Sequence, residues 1–218
     1  MDALFADWCR DEHLVWLPEK GMGCFPVRRE DEPYDDSYFA RYAELENTPI
    51  GRQLLALRLS LVARHAQPGA LVCDVGIGSG AFVRARPGTK GFDIMPAAAT
   101  WLKANDLFHD PFQGLTDVLT CWDSLEHVHD PSRLVRNARA VLVSLPVFRS
   151  ATHALTSKHY RKAEHRWYWT TAGLIGWFAE HGFVCEEHNC DESEAGREDV
   201  ETFAFVRPHT DRFVWSGG

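Results

Sequence analysis

Short apolar runs alternate with helical periods along most of the chain. The runs that predict buried strands, because they are short and bounded by turn residues, are 70–75, 90–94, 117–122 and 141–145. Apolar spacings of three and four predict helices over 37–65 (with a break at Thr48-Pro49), 96–103, 131–140 and 170–181. Strands that alternate with helices predict an α/β fold, in which helices cover both faces of a mostly parallel sheet.

The two ends of the chain depart from this alternation. Residues 183–187 and 201–207 predict a closing pair of strands, with an antiparallel strand at the end of the sheet. Residues 1–36 have no clean period and are interpreted as an irregular lead-in. We therefore expect a lead-in and helical cap over 1–66, followed by one α/β domain over 67–218.

Composition and charge narrow the class of protein. The chain has 218 residues, of which 45% are hydrophobic and 25% charged, as in an ordinary globular protein. The net charge of −8 argues against non-specific binding to nucleic acid or to an anionic membrane. No signal peptide or membrane-spanning run is recognised, and the six cysteines form no Cys-x-x-Cys pair. These features predict a cytoplasmic protein with free thiols.

A glycine-rich turn follows the first predicted strand. It contains Asp74, Gly76, Gly78 and Gly80, and glycines there let the backbone approach a ligand that a Cβ would exclude. Asp93 ends the next strand, 19 residues after Asp74, where a carboxylate accepts the hydroxyls of a ribose. The glycine spacing differs from a dinucleotide fingerprint, and a turn of this kind also occurs without a ligand.

These motifs resemble class I S-adenosylmethionine-dependent methyltransferases. The resemblance covers roughly 71–207 and includes the run 117–127, which matches the motif of the fourth strand in that family. It implies a Rossmann-like sheet and S-adenosylmethionine as the cofactor. The cofactor-binding residues that it implies are Asp74, Gly76, Gly78, Gly80, Asp93, Ile94, Asp106 and Trp122. The stretch between Gly80 and Lys90 is short for the first helix of the family.

A second group of candidates begins with Asp123, Glu126 and His127, whose spacing of three and four puts them on one face of a helical turn. Together with His165 they could hold a divalent metal, and Glu126, His127 and His165 could serve in catalysis. Locally, this turn and the later segment around His165 resemble RNA 3′-end 2′-O-methyltransferases, and the Glu-His turn resembles ubiquinone-pathway O-methyltransferases. Alternatively, Glu126 pairs with a basic side chain and His127 is a satisfied core histidine.

The resemblance predicts methyl transfer to an oxygen or nitrogen of a small-molecule acceptor. A metal-assisted RNA or nucleotide 2′-O-methyltransferase, a dinucleotide-dependent reductase and a non-catalytic protein that binds the cofactor remain as alternatives. The partner is therefore a small-molecule or nucleotide substrate, and no membrane association is expected. The charged segment 192–199 is a turn between the last two predicted strands; such turns are most often solvated hairpins, and it is assigned no role.

Overall fold

The computed structural model describes residues 14–25, 44, 46–161 and 164–208. In chain order its elements are β1 (Val15–Leu17), β2 (Met22–Cys24), α1 (Pro49–His65), β3 (Val72–Val75), α2 (Ala81–Ala85), β4 (Lys90–Phe92), α3 (Pro96–Ala104), β5 (Thr116–Trp122), a 3-10 turn (Leu125–His127), α4 (Pro131–Val135), β6 (Ala138–Pro146), α5 (Ala151–Thr156), β7 (Trp167–Trp169), α6 (Thr171–Glu180), β8 (Val184–Asn189), α7 (Asp191–Glu194) and β9 (Val200–Val206).

The central sheet has six strands in the order β4-β3-β5-β6-β9-β8. The first four strands are parallel, and β9 is antiparallel to both of its neighbours. An isolated parallel bridge from Gly91 to Phe108 extends the sheet beyond β4. The predicted α/β fold, with its mostly parallel sheet and antiparallel closing strand, is confirmed.

Alternate residues of each strand supply two separate cores, because successive side chains of a strand point to opposite faces. On one face, Val118 and Leu142 pack with Leu61 and Val62 of α1. On the other face, the neighbouring strand positions pack against α4 and α6. Helices therefore cover both faces of the sheet.

Helix α1 begins where the sequence predicts a break. Thr48 caps it by accepting a hydrogen bond from the Gly51 backbone N–H at 3.0 Å, and Pro49 occupies the first turn. The earlier part of the predicted helix, at 37–43, lies outside the described residues. Helix α2 has five residues, which agrees with the short stretch noted after Gly80.

A second, antiparallel sheet joins the lead-in to a segment late in the chain. Its order is β1-β2-β7, so Met22–Cys24 pairs with Trp167–Trp169. The interpretation of residues 1–36 as irregular is therefore wrong at β1 and β2. Strands of three residues carry no readable period, and this pairing forms between distant parts of the chain. The division at residues 66 and 67 stays a prediction.

Three smaller expectations are corrected. The helix predicted over 131–140 ends at Val135, and β6 already begins at Ala138, because alternate burial around the exposed Arg139 suits a strand. The segment 192–199 begins within helix α7 rather than forming a simple hairpin. Cys24 is disulfide-bonded, so the expectation of free thiols is wrong there. Among the described helices, none combines the length and apolar character needed to cross a bilayer.

Candidate active site

A cavity of about 570 Å³ opens at the carboxyl ends of β3, β4 and β5. Ligands of open α/β sheets bind at this edge, where the loops that leave the parallel strands converge. Its walls include residues from the glycine-rich turn, the end of β4 and the turn after β5. The lining residues are Val75, Gly76, Gly78, Phe92, Asp93, Ile94, Met95, Phe112, Trp122, Asp123, Ser124, His127, Val128, His129, Asp130, Arg133 and Arg166.

The glycine-rich turn is packed directly against the turn after β5. Gly76 has φ +73°, and its N–H donates to the Phe92 carbonyl at 2.8 Å. A Cβ on Gly76 would lie 2.8 Å from the Cβ of Ser124, which is too close for two carbon atoms. Gly78 and Gly80 also have positive φ. The chain therefore requires glycine here for its backbone shape and for the space beside Ser124.

Asp93 anchors this turn from the end of β4. Its Oδ2 accepts a hydrogen bond from the Ile77 N–H at 3.0 Å, and its Oδ1 accepts one from the Met95 N–H at 2.8 Å. Burial raises the pKa of Asp93, while these backbone hydrogen bonds favour the charged form. Next to it, the side chain of Ile94 is 78% exposed and lines the cavity. A carboxylate and an apolar side chain thus stand side by side on one wall.

The other predicted cofactor residues lie at different depths. Trp122 lines the cavity, whereas Asp74 is buried beneath the turn and accepts a hydrogen bond from the Thr120 hydroxyl at 2.7 Å. Burial raises the pKa of Asp74 to about 7. Gly80 caps α2 and is not among the residues that line the cavity. The side chain of Asp106 is fully exposed beside Lys90, outside the residues that line the cavity, and its role stays a prediction.

Glu126, His127 and His165 come together beside the cavity. One ligand atom from each lies within 4.8 Å of the others, and the two imidazole rings are 4.7 Å apart at 85°. The Nδ1 of His127 donates to the Glu164 carbonyl at 3.0 Å, which leaves the lone pair of the neutral ring on Nε2. Burial lowers the pKa of His127, and it lowers that of His165 to about 2. Both rings are therefore neutral near pH 7.

Glu126 is the most unusual member of this group. Its side chain is buried, and neither carboxylate oxygen has a hydrogen-bond partner among the described residues. Burial, together with the negative charge of Asp123, raises the pKa of Glu126 to about 8. A buried carboxyl without partners is costly, and such groups are found where a proton or a cation completes the site.

The raised pKa makes stability depend on pH through Glu126. Between its ordinary pKa of 4.5 and about 8 the folded chain holds a proton there that the unfolded chain has lost, so stability falls as the pH rises over this range and levels off above it. Between pH 7 and pH 9 the wild type should lose about 1.4 kcal/mol more unfolding free energy than Glu126→Gln. Both histidines stay neutral over this range. Urea unfolding of metal-free protein checks this prediction, and parallel pH profiles of the two proteins would contradict it.

Asp123 lies apart from these three residues. Its carboxylate is held by Arg197, with Nη2–Oδ1 at 2.7 Å and Nη1–Oδ2 at 2.8 Å, and by Arg58, with Nη2–Oδ2 at 3.1 Å. Burial by itself would raise the pKa of Asp123, but the charges of Arg197 and Arg58 lower it to about 2. Three of the four predicted metal ligands, Glu126, His127 and His165, therefore come together. The fourth, Asp123, is bound by two arginines instead.

Sequence reasoning missed one wall of the cavity. His129, Asp130, Arg133 and Arg166 also line it, and Arg133 lies 5.7 Å from the centre of the Phe112 ring. Asp130 was detectable, because Asp-Pro before a helix is a capping signal, and it accepts the Arg133 N–H at 3.0 Å. The Nε2 of His159 contacts the Glu198 carbonyl at 2.8 Å, and His159 is not among the residues that line the cavity.

The family follows from comparison with known proteins. A family model described as a methyltransferase domain matches residues 42–188, about two thirds of the chain. The chain belongs to this family of methyltransferase domains. With the sheet order and the glycine-rich turn already described, it is a class I S-adenosylmethionine-dependent methyltransferase. No curated protein matches it.

Solved structures share the fold at low sequence identity. Magnesium protoporphyrin IX methyltransferase from Synechocystis PCC 6803, with bound S-adenosylhomocysteine, is 16% identical. That match covers 81% of this chain and 97% of that chain, with a TM-score of 0.57. A chain from the Haloferax volcanii complex that contains the Trm112 methyltransferase activator is also 16% identical. That match covers 80% of this chain and 96% of the Haloferax chain, with a TM-score of 0.60.

Proposed function

We propose that this methyltransferase transfers the methyl group of S-adenosylmethionine to an oxygen or nitrogen of a small-molecule acceptor. One observation carries the proposal: a single cavity is lined both by the glycine-rich turn with Asp93 and Ile94 and by a polar group that includes His127, Asp130 and Arg133. A cofactor and an acceptor can therefore lie side by side in it. The predicted cytoplasmic location belongs to the same proposal.

The residues of the first wall fit the parts of the cofactor. Asp93 has lone pairs left to accept the ribose hydroxyls, and the exposed Ile94 offers an apolar surface to the adenine ring. The backbone of Gly76 and Gly78 leaves room for the amino-acid end, with the buried Asp74 supporting the turn from below. Trp122 lines the same cavity and would contact the bound cofactor. The bound sulfonium supplies an already activated methyl group.

His127 is the proposed general base. It lines the cavity, it is neutral near pH 7, and its Nε2 lone pair can accept a proton from a hydroxyl or amine of the acceptor. The Glu164 carbonyl and the edge contact with His165 orient its ring, and Glu126 Oε1 lies 4.0 Å from Nε2. The enzyme otherwise contributes by aligning the acceptor with the methyl group and by excluding water from the cavity.

Calorimetric titration with S-adenosylmethionine and S-adenosylhomocysteine tests the cofactor part of the proposal. We expect dissociation constants in the micromolar range, and a panel of hydroxyl and amine acceptors then tests transfer. Folded protein that binds neither compound would contradict the cofactor assignment. Binding without transfer to any acceptor would instead favour a non-catalytic cofactor-binding protein.

The unpartnered carboxylate of Glu126 favours a second candidate, in which a divalent metal assists the transfer. Glu126, His127 and His165 provide one oxygen and two nitrogen donors, a set that suits zinc, cobalt or manganese. A metal there would hold an acceptor oxygen and lower its pKa, as in 2′-O-methyl transfer to a nucleotide or RNA. The acidic net charge makes a small acceptor the first choice over RNA.

If a metal binds to Glu126, His127 and His165, replacing His165 should lower the affinity of the protein for that metal. His165→Ala should weaken Co²⁺ binding by at least tenfold, because one of three protein donors is lost. His153→Ala is the matched control, since His153 lies on α5 outside the group. The titration is done on a Cys190→Ser background, because His188, Cys190 and Glu201 form another group of metal donors. Equal affinities of the His165→Ala and His153→Ala proteins would exclude the candidate site.

A further inference from the structure

Two arginines and two carboxylates form a charge network next to the cavity, in which Glu192 is buried and the other three side chains are partly buried: Arg58, Asp123, Glu192 and Arg197. Arg197 grips both oxygens of Asp123 and also donates to Glu192 Oε2 at 2.6 Å. Arg58 bridges the same two carboxylates, with Nε–Oε1 of Glu192 at 2.8 Å. The charges balance, and every contact is a charge-assisted hydrogen bond.

The charge network joins three parts of the chain that are far apart in sequence. Arg58 comes from α1, Asp123 from the end of β5, and Glu192 and Arg197 from the region between β8 and β9. Buried ion pairs add little net stability compared with apolar packing, because both partners lose their water. Their geometry is directional, however, and a bidentate pair fixes the two groups that it joins. The main effect of the charge network is therefore to fix the position of Asp123, and not to add stability.

Asp123 adopts a backbone shape that a non-glycine residue rarely takes. Its φ is +55°, and its N–H donates to the Ser144 carbonyl at 2.8 Å. Such a conformation costs free energy and persists where surrounding contacts over-determine it. Here the two arginines hold the side chain while β6 holds the backbone. The next residue, Ser124, is thereby directed against Gly76.

The charge network is also linked to the segment that follows β6. Immediately after Arg197, Glu198 accepts a hydrogen bond from Lys158 Nζ at 2.9 Å, and its carbonyl contacts His159 Nε2. Asp199 lies 3.6 Å from His153 Nε2. The segment that follows β6 therefore rests on the same turn that grips Asp123.

The charge network reaches the cofactor wall through Trp122 as well. The Arg58 guanidinium lies 5.3 Å from the centre of the Trp122 ring, which lines the cavity. Any loosening of Asp123 would displace Trp122 and Ser124, the residues on either side of it. Because Ser124 has no spare room beside Gly76, that displacement passes into the glycine-rich turn.

We infer that Arg197 is a positioning residue, which holds the turn after β5 against the glycine-rich turn through its bidentate contact with Asp123. The inference rests on the proposed position of S-adenosylmethionine in the cavity. Arg197 acts through Asp123 and Ser124, without being assigned a contact with the reacting atoms.

The test separates cofactor binding from stability. Titration of Arg197→Met with S-adenosylhomocysteine, well below its melting temperature, should give at least tenfold weaker binding than wild type. Arg64→Met is the matched control: Arg64 also leaves α1 to grip a carboxylate, that of Glu187 on β8, but far from the cavity lining. It should bind within twofold of wild type. A melting curve of each variant records the structural cost separately.

Arg197→Lys keeps the charge but not the bidentate contact, so it should fold and bind between threefold and tenfold more weakly than wild type. If Arg197→Met does not fold, Arg197→Lys decides the outcome. Either folded variant that binds S-adenosylhomocysteine as tightly as wild type would overturn the inference. Wild-type protein that binds no S-adenosylhomocysteine would overturn both this inference and the cofactor assignment, whereas weak binding confined to the Arg197 variants supports both.

Discussion

Replacing Gly76 by alanine is expected to weaken the binding of S-adenosylhomocysteine at least a hundredfold, about 2.7 kcal/mol. The added Cβ would meet the Ser124 Cβ at 2.8 Å, in a backbone conformation with φ +73° that alanine disfavours. Either the glycine-rich turn or the turn after β5 must then move, and both line the cavity. Calorimetric titration of folded protein measures the effect.

Two further variants isolate the cause. Gly69→Ala is the matched control, because Gly69 has φ +81° and nothing lies within 4 Å of an added Cβ. Gly69→Ala also places alanine at a positive φ, but without the clash, so the binding of S-adenosylhomocysteine should stay within twofold of wild type. Adding Ser124→Gly to Gly76→Ala removes the clashing carbon and should recover at least tenfold in affinity. Unchanged binding by Gly76→Ala alone would show that this turn does not contact the cofactor.

The second large effect is expected at Asp93. Asp93→Ala should weaken S-adenosylhomocysteine binding by ten- to a hundredfold, about 1.4–2.7 kcal/mol. The change removes the acceptor for the ribose hydroxyls and leaves the N–H groups of Ile77 and Met95 without their carboxylate. Asp93→Asn retains one acceptor oxygen and should lose less than Asp93→Ala.

Asp110→Ala provides the comparison for Asp93. Asp110 makes the same kind of contact with the N–H two residues ahead, that of Phe112 at 2.9 Å, yet it does not line the cavity. Its replacement should lower the melting temperature without changing the dissociation constant by more than twofold. Similar affinity losses in Asp93→Ala and Asp110→Ala would indicate a general loosening of the loops instead of a ribose contact.

Local signals in the sequence were sufficient to predict which residues form the cofactor side of the cavity. Gly76 and Gly78 have positive φ, a backbone conformation that favours glycine and so marks the turn in the sequence. Asp93 ends the next strand, and because β3 and β4 are parallel neighbours its side chain lies beside that turn. The main strands and helices were equally readable, because burial on two faces leaves a strong apolar pattern. The predicted fold class therefore agrees with the structure even though strand bounds shift by a few residues.

Features that depend on distant pairing were not readable. The strand β7, with three consecutive aromatic residues, gave no alternation and needed its partner β2 to be recognised. Charged residues are mostly exposed in proteins, so nothing marked Glu192 as buried or Arg58 and Arg197 as partly buried. The segment 192–199 was accordingly assigned no role. Only the fold brings two arginines to Asp123 and leaves Glu126 without a partner among the described residues.

The small β1-β2-β7 sheet has a consequence for the order in which the chain folds. Gly23 pairs with Tyr168, so its two halves are separated by 145 residues. Closing so long a loop is entropically costly and slows the formation of such contacts. During synthesis β2 can pair with β1, but its other edge stays open until β7 has left the ribosome, whereas β3 can pair with β4 soon after both emerge. This sheet should therefore acquire protection from hydrogen exchange after the parallel strands.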